Sequence, residues 1–263
     1  NSNSLTIKDM PISANSFSRI RSEAIKYISD MQIFKCSKCG VVQTTEKLLS
    51  NYKTIQRSSF FSKETRDFRL KQMFSFTKKY RLHGKNILEI GCFKGEFVEL
   101  YNHNLDSSFF GCEYSVNTSS KDIIEGYLGD NALDTSKKFS GFYSFNVFEH
   151  WPNWALIFNN LMHSIDKEAY GIIEVPNANY IISKGLYNEV ISDHIYYFTL
   201  PSFAKALEAA GLEIISIKTI LSNYVLSAEV KLPGEVIFEN FNSKKEALFK
   251  NLQNFFSDRE SSL

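Results

Sequence analysis

The sequence has little net charge, few cysteines and no long apolar run, and each shortage excludes a class of function. Thirty Lys and Arg against 29 Asp and Glu leave a net charge of +1 over 263 residues. A nucleic-acid surface needs a basic patch or stripe, and no long basic run occurs. No apolar stretch approaches the roughly 18 residues that span a bilayer, so neither nucleic acid nor membrane is expected as a partner. The amino-terminal Asn1-Ser-Asn-Ser4 lacks the charged and apolar regions of a signal peptide. The four cysteines are Cys36, Cys39, Cys92 and Cys112, and a reduced, cytoplasmic protein is the simplest reading. Cys36-Ser-Lys-Cys39 has the spacing of a zinc knuckle. A structural zinc takes about four ligands, two are present here, and no histidine precedes His83. No metal is expected in this chain.

What is present suits a packed core. Apolar residues make up 43% of the chain, with 23 Phe and 13 Tyr, enough for one large domain and an appendage. The chain is arranged around Ile87-Leu-Glu-Ile-Gly-Cys-Phe-Lys-Gly-Glu-Phe97. A short apolar run, Asn86 to Ile90, reads as a buried strand that enters a glycine turn and then a helix. Gly91 and Gly95 bracket the turn and let backbone approach a ligand closely. Glu89 is an acid at the end of an apolar strand, costly unless a cation or hydrogen-bond donor meets it. A second strand, Ser107 to Glu113, ends in another acid, 22 positions after Gly91. Adenosine-binding folds place a ribose-binding acid roughly 20 residues after the glycines. A nicotinamide cofactor and S-adenosylmethionine both satisfy that spacing. Two details favour the latter. Phe93 stands where a dinucleotide site has its second glycine, and Glu89 would repel a pyrophosphate but suits an amino group and a sulfonium. The pattern resembles motif I of class I methyltransferases.

Read in order, residues 1–43 form a small module without a strong period, and Thr44 to Thr54 is helix-like. Ser62 caps a helix reaching Leu82, with Phe68, Met73, Phe76 and Tyr80 near helical spacing. After Asn86 strands and helices alternate: a helix from Gly95 to Asn102, a helix around Thr118 to Glu125, a short strand end at Tyr127 to Asp130, and strands at Gly141 to Val147 and Ala169 to Glu174. An irregular loop of about 20 residues then precedes Pro201, a length that favours a functional role. Pro201 opens a helix that Gly211 closes. Two strands follow, Glu213 to Ile220 and Tyr224 to Lys231, whose three-residue link requires an antiparallel pair. The tail from Ser243 to Phe256 reads as an amphipathic helix. The expected fold is α/β: a Rossmann-like, mostly parallel seven-stranded sheet with a terminal antiparallel hairpin. The expected units are a small module at 1–61, a methyltransferase domain at 62–235 and a helical tail at 236–263.

Ligands in such sheets bind beyond the carboxyl ends of the strands. Glu89, Gly91, Phe93, Gly95, Glu113, Tyr114, Asp130, Asn131 and Asn146 are therefore the candidate cofactor residues. Asp130 and Asn131 either meet the adenine or simply form a turn. Beyond the fourth strand, Asn146-Val-Phe-Glu-His150 puts Glu149 and His150 over the cofactor edge. Much of the chain resembles the sugar C-methyltransferase family, which acts on nucleotide-linked deoxysugars. The likeness rests on Met10 to Phe17, Cys36 to Gln43, Leu88-Glu-Ile-Gly-Cys-Phe-Lys-Gly95, Asn146 to His150, and Asp193-His-Ile-Tyr-Tyr-Phe198. The chain lacks that family's first cysteine pair and its C-terminal domain, and it has Ile191-Ser-Asp-His194 where the family has Tyr-His-Glu-His. The resemblance implies methyl transfer to a carbon of a nucleotide-linked keto-deoxysugar; the lost tyrosine and histidine tip the expectation slightly toward oxygen of a sugar, nucleotide-activated or phosphorylated precursor for surface polysaccharide, with carbon as the alternative. His194, oriented by Asp193, is the expected base, with His150 second. A phosphate-type acceptor would use His194 as a positioning donor instead. A nicotinamide-dependent oxidoreductase and a methyltransferase-like binding subunit are the competing readings. The oligomeric state is left open.

Overall fold

The computed structural model describes residues 4–11, 20–24, 26, 28–37, 40–44, 62–114 and 120–232. The amino-terminal segment is β-structure rather than a module without period. It contains β1 (Ser4–Pro11), the one-turn helix α1 (Arg21–Ala24), β2 (Ile28–Lys35) and β3 (Val42–Thr44). Alternation is what the sequence reading missed in this segment: Met31 and Ile33 are fully buried and flanked by less buried neighbours. Thr44 ends a strand instead of starting a helix; the rest of that expected helix, Cys39 and the tail helix lie outside the described residues.

Helix α2 (Lys63–Lys79) begins as expected, with Ser62 accepting the Thr65 backbone N–H. From there the chain builds β4 (Asn86–Ile90), α3 (Glu96–Asn104), β5 (Ser108–Glu113), β6 (Ile123–Glu125), β7 (Phe139–Phe145), α4 (Trp154–Leu161) and β8 (Ile165–Pro176). Then come α5 (Ala178–Ser183), β9 (Tyr196–Tyr197), α6 (Leu200–Ala209), β10 (Glu213–Ile220) and β11 (Val225–Lys231). The main sheet has the order β10-β11-β8-β7-β4-β5-β6. Its β4, β5, β6, β7 and β8 neighbours run parallel, and β11 and β10 add antiparallel. This is the expected Rossmann-like sheet with a terminal hairpin.

Two local expectations fail for tertiary reasons. Within the expected helix 118–125, Ile123–Glu125 is a strand: Ile123 and Ile124 pair with Gly111 and Cys112, and β-branched pairs suit a strand better than a short charged helix. Tyr127 to Asp130 is a turn, not a strand end; the Asp130 and Asn131 amides both donate to the Tyr127 carbonyl. The segment before Pro201 is also more ordered than expected, since it holds α5, a 3₁₀ turn at Tyr187–Glu189 and β9. There β9 pairs with β3, so the amino-terminal sheet ends on the loop that carries His194. Ala178, Ile181, Val190 and Tyr197 share one apolar cluster with Ile7, Met31 and Val42.

An ion pair between layers locks α2 to the sheet. Arg69 lies on the buried face of α2 with Met73, Phe76 and Thr77. It donates to Glu174 of β8, which also accepts from Gln72 and Ser227. The Arg69 guanidinium sits 3.8 Å from the Phe145 ring centroid. Both side chains are almost fully buried, so removing one partner strands a charge. Arg69→Met is expected to destabilise the protein by about 3–5 kcal/mol in urea denaturation. The paired Arg69→Met/Glu174→Met change should recover most of that loss, because a buried ion pair replaced by apolar groups is often neutral.

Candidate active site

The turn after β4 is built by close approach. Gly91 has φ +77°, and a Cβ there would fall 2.8 Å from Val147. Gly95 has φ +82°, and its Cβ would meet Ile123 at 2.5 Å. Phe93 holds a left-handed φ of 53° without being glycine, a conformation that costs energy unless its surroundings fix it. Glu113 supplies the fixing: its carboxylate accepts the Phe93 amide at 2.8 Å and its neighbour Tyr114's amide at 2.9 Å. The second-strand acid thus already shapes the glycine turn, and a carboxylate has about four lone-pair sites, so acceptor capacity remains.

Beside this turn lies a cavity of about 290 Å³. Glu89, Gly91, Phe93 and Asn146 line it, together with Arg69, which the sequence reading did not single out. The signal was available: Arg69, Met73 and Phe76 fall at i, i+4 and i+7 on one helical stripe, an arginine among core positions. Leu221 and Tyr224 form the far wall. Leu221, Ser222 and Asn223 are three consecutive residues at positive φ; the Asn177 side chain holds this turn by donating to the Asn223 carbonyl at 2.9 Å. Asp130 and Asn131 are exposed in their turn and do not line the cavity.

Glu89 is the electrostatic centre of the cavity. It is 4% exposed. Among the described residues its hydrogen bond comes from the Tyr143 hydroxyl at 3.1 Å, and no salt bridge reaches it. Burial pushes its carboxyl well above the ordinary carboxylate range, with the Tyr143 bond pulling the other way and the Glu96 charge adding to the rise. Asn146 adjoins it at φ 54°, with its side-chain oxygen buried and lacking a partner among the described residues. Glu89, Glu96 and Asn146 therefore face a cavity in which Arg69 is the one lining cation among the described residues. An amino-acid-like ligand, ammonium toward Glu89 and Asn146 and carboxylate toward Arg69, fits this donor set.

A second polar group sits past the end of β7. Glu149 and His150 lie on a 3₁₀ turn, Phe148–His150, and His194 comes from the loop before β9. All three are buried. The His150 and His194 ring centroids are 4.8 Å apart. His150 Nδ1 donates to the Asp193 carbonyl at 2.6 Å, and His194 Nδ1 donates to the Glu189 carbonyl at 3.1 Å. The Asp193 backbone thus holds His150, and the Nδ1 of His194 is held by the Glu189 carbonyl. A carbonyl only accepts, so both neutral rings carry the proton on Nδ1 and the lone pair on Nε2. Tyr224 links this group to the cavity. It lines the cavity, bonds the Glu189 side chain, and has its phenol pushed up by burial and by the Glu189 and Glu149 charges.

This geometry meets its relatives at the level of family and fold. Residues 62–217 match a family model described as a methyltransferase domain. Among solved structures, the plantazolicin methyltransferase BpumL with S-adenosylhomocysteine and a monoazolic substrate analogue matches at 17% identity. That match has a TM-score of 0.51 and covers 65% of this chain and 86% of that one. An S-adenosylmethionine-dependent methyltransferase from Clostridium acetobutylicum matches at 13% identity and TM-score 0.50, covering 70% of this chain and 96% of that one. A search of curated proteins found no match. The chain belongs to the methyltransferase-domain family, and it is an S-adenosylmethionine-dependent methyltransferase.

The Glu89 geometry has a consequence for the ligand-free protein. An acid whose folded pKa is raised lowers stability as pH climbs from the ordinary carboxylate value through the raised one. Glu89→Gln removes that cost and keeps an acceptor for Tyr143. The expected result is a higher Tm without ligand, by about 2–4 °C for each kcal/mol relieved. Thermal scans of both proteins at about pH 5 and pH 8 should show the larger gain at the higher pH.

Proposed function

We propose that this methyltransferase acts on an oxygen of a sugar, nucleotide-activated sugar or phosphorylated precursor used in surface-polysaccharide assembly (capsule or O-antigen). The cofactor brings a methyl group already activated on a sulfonium, so the chain's task is to position the acceptor and manage its proton. Glu113 takes the ribose hydroxyls, Glu89 and Asn146 take the ammonium, and Arg69 faces the carboxylate. Gly91, Phe93 and Gly95 let the backbone lie close along the ligand. Tyr114 follows Glu113, and its ring stands edge-on to Tyr127, 6.2 Å between centroids, beside the expected adenine end.

One observation carries the acceptor side. The two segments on which the sugar-family likeness rests, Asn146 to His150 and Asp193 to Phe198, are far apart in sequence but meet through the His150 and His194 rings. Aromatic residues interlock there as well: Phe148 packs on Phe198 at 5.6 Å, and Trp154, just beyond the first segment, on Tyr196 at 4.4 Å. The loop is thereby held against the mouth of the sheet rather than left free. Tyr197 pins it from within, its hydroxyl donating to the Ile191 carbonyl and accepting the Ile191 amide. Oxygen is favoured over carbon as the nucleophile. Carbon methylation must hold an enolate, and the position where the resembled family has a tyrosine is the buried, apolar Ile191. A hydroxyl acceptor needs its proton removed, and in the simplest form of this reading His194 does so through Nε2.

The test is a screen of nucleotide sugars, free sugars and sugar phosphates for a one-methyl mass gain that depends on S-adenosylmethionine. With a positive acceptor in hand, His194→Asn is the informative change. Asparagine can still donate to the Glu189 carbonyl but has nothing in place of Nε2. Turnover should fall roughly 10²–10⁴-fold while cofactor affinity stays near wild type. A variant that keeps wild-type turnover would remove His194 from the chemistry. Mass gain confined to acceptors of another class, such as peptides, would overturn the substrate reading.

A further inference from the structure

We propose that Glu149, His150 and His194 form a site for one divalent first-row cation; this deepens the acceptor-side reading above and rests on it. The expectation of no metal was drawn from two cysteines, and this is a different set of ligands. One ligand atom from each residue lies within 4.8 Å of the others. The site has the second layer of bonds that metal-binding histidines need. A ligating imidazole almost always donates its other N–H to a carbonyl or carboxylate, which fixes ring and tautomer. Here both rings do so, His150 to the Asp193 carbonyl and His194 to the Glu189 carbonyl, which leaves the two lone pairs on Nε2.

The Glu149–His150 spacing is wider than a proton-shared pair and close to that of two ligands on one cation. His150 Nε2 is 3.7 Å from Glu149 Oε1. A protonated imidazole bonded to a carboxylate would stand at about 2.7–2.9 Å. Ligand atoms across a tetrahedral site with bonds near 2.1 Å are about 3.4 Å apart. Two nitrogens and one oxygen suit a cation of intermediate softness, such as zinc, cobalt or manganese, rather than magnesium or calcium.

Three protein ligands leave coordination positions open, the pattern of a catalytic site rather than a closed structural one. An acceptor hydroxyl bound there would lose its proton more readily. The O–H bond breaks with the proton passing to water, the oxygen lone pair bonds the methyl carbon, and the carbon–sulfur pair returns to sulfur as a neutral thioether. The cation would then replace an unaided imidazole base, with His194 as its ligand.

The experiment titrates chelator-treated, desalted full-length protein with Co²⁺, read by calorimetry and visible absorption, and then with Zn²⁺ in competition. The expected result is one equivalent per chain and a Co²⁺ spectrum that Zn²⁺ abolishes. Glu149→Gln, His150→Asn and His194→Asn should each weaken Co²⁺ binding by roughly 10-fold or more. The histidine changes keep a donor for the loop carbonyls. Cys36→Ser/Cys39→Ser should leave binding unchanged. S-Adenosylhomocysteine binding reports in parallel that each variant is folded. Wild-type protein that binds S-adenosylhomocysteine but takes up neither cation would overturn the proposal. So would an equivalent lost in the cysteine variant and kept in the other three. Sugar methylation by metal-free wild type would refute the cation and leave the acceptor reading standing. A stoichiometric triad-bound cation with no sugar methylated would do the reverse.

Discussion

A carboxylate buried on an inner strand of the main sheet, with no ion pair among the described residues, is the constraint that the head of this structure is built around. Glu89 is 4% exposed, with a phenol as its hydrogen-bond donor. A folded protein tolerates such a group only where its cost is offset, and in a ligand cavity a bound cation offsets it. Gly91, the left-handed Phe93 and Asn146, whose side-chain oxygen has no partner among the described residues, line the same cavity as that acid. Gly91 presses on Val147 with no room for a Cβ, which brings the turn and the segment leading to Glu149 and His150 into contact.

The three acids at the head of the sheet are handled in three ways, and the contrast identifies their roles. Glu174 is fully buried and neutralised by Arg69, with Gln72 and Ser227 completing its bonds. It fastens α2 to the sheet. Glu113 is half-buried and spends part of its capacity on two backbone amides, so it orders the turn and keeps acceptor sites. Glu89 has no ion pair among the described residues, and burial pushes its carboxyl well above the ordinary range. Arg69 belongs to both worlds, since it pairs with Glu174 and also lines the cavity. The site and the joint between layers therefore share a residue.

Much of this was legible in the sequence because it was local. The apolar run to Ile90, the glycines, the Ser62 cap and the three-residue link before Tyr224 each announce an element without help from elsewhere. The strand at Ile123–Glu125 was not legible, because its charged flanks read as helix and only pairing with Gly111 to Glu113 makes it strand. Nor was β9, two residues long and defined by partners in β3. His150 and His194 were visible as candidates. The partners of their Nδ1 atoms were not, because those bonds run to the main-chain carbonyls of Asp193 and Glu189, which any residue type could supply. Arg69 was overlooked for a different reason: an aromatic-rich helix reads as packing, and one arginine on its core stripe passes as surface.

The central claim is that Glu89 holds a raised pKa that the cofactor's ammonium lowers. Such a shift requires proton release on binding. S-Adenosylhomocysteine, which keeps that ammonium, can be titrated calorimetrically into wild type and Glu89→Gln between about pH 5 and pH 8, in pairs of buffers that differ in ionisation enthalpy. The account predicts that wild type releases more protons than the variant, and that its affinity advantage over the variant grows as pH rises. Equal proton release by the two proteins, with a constant affinity ratio across that range, would contradict it.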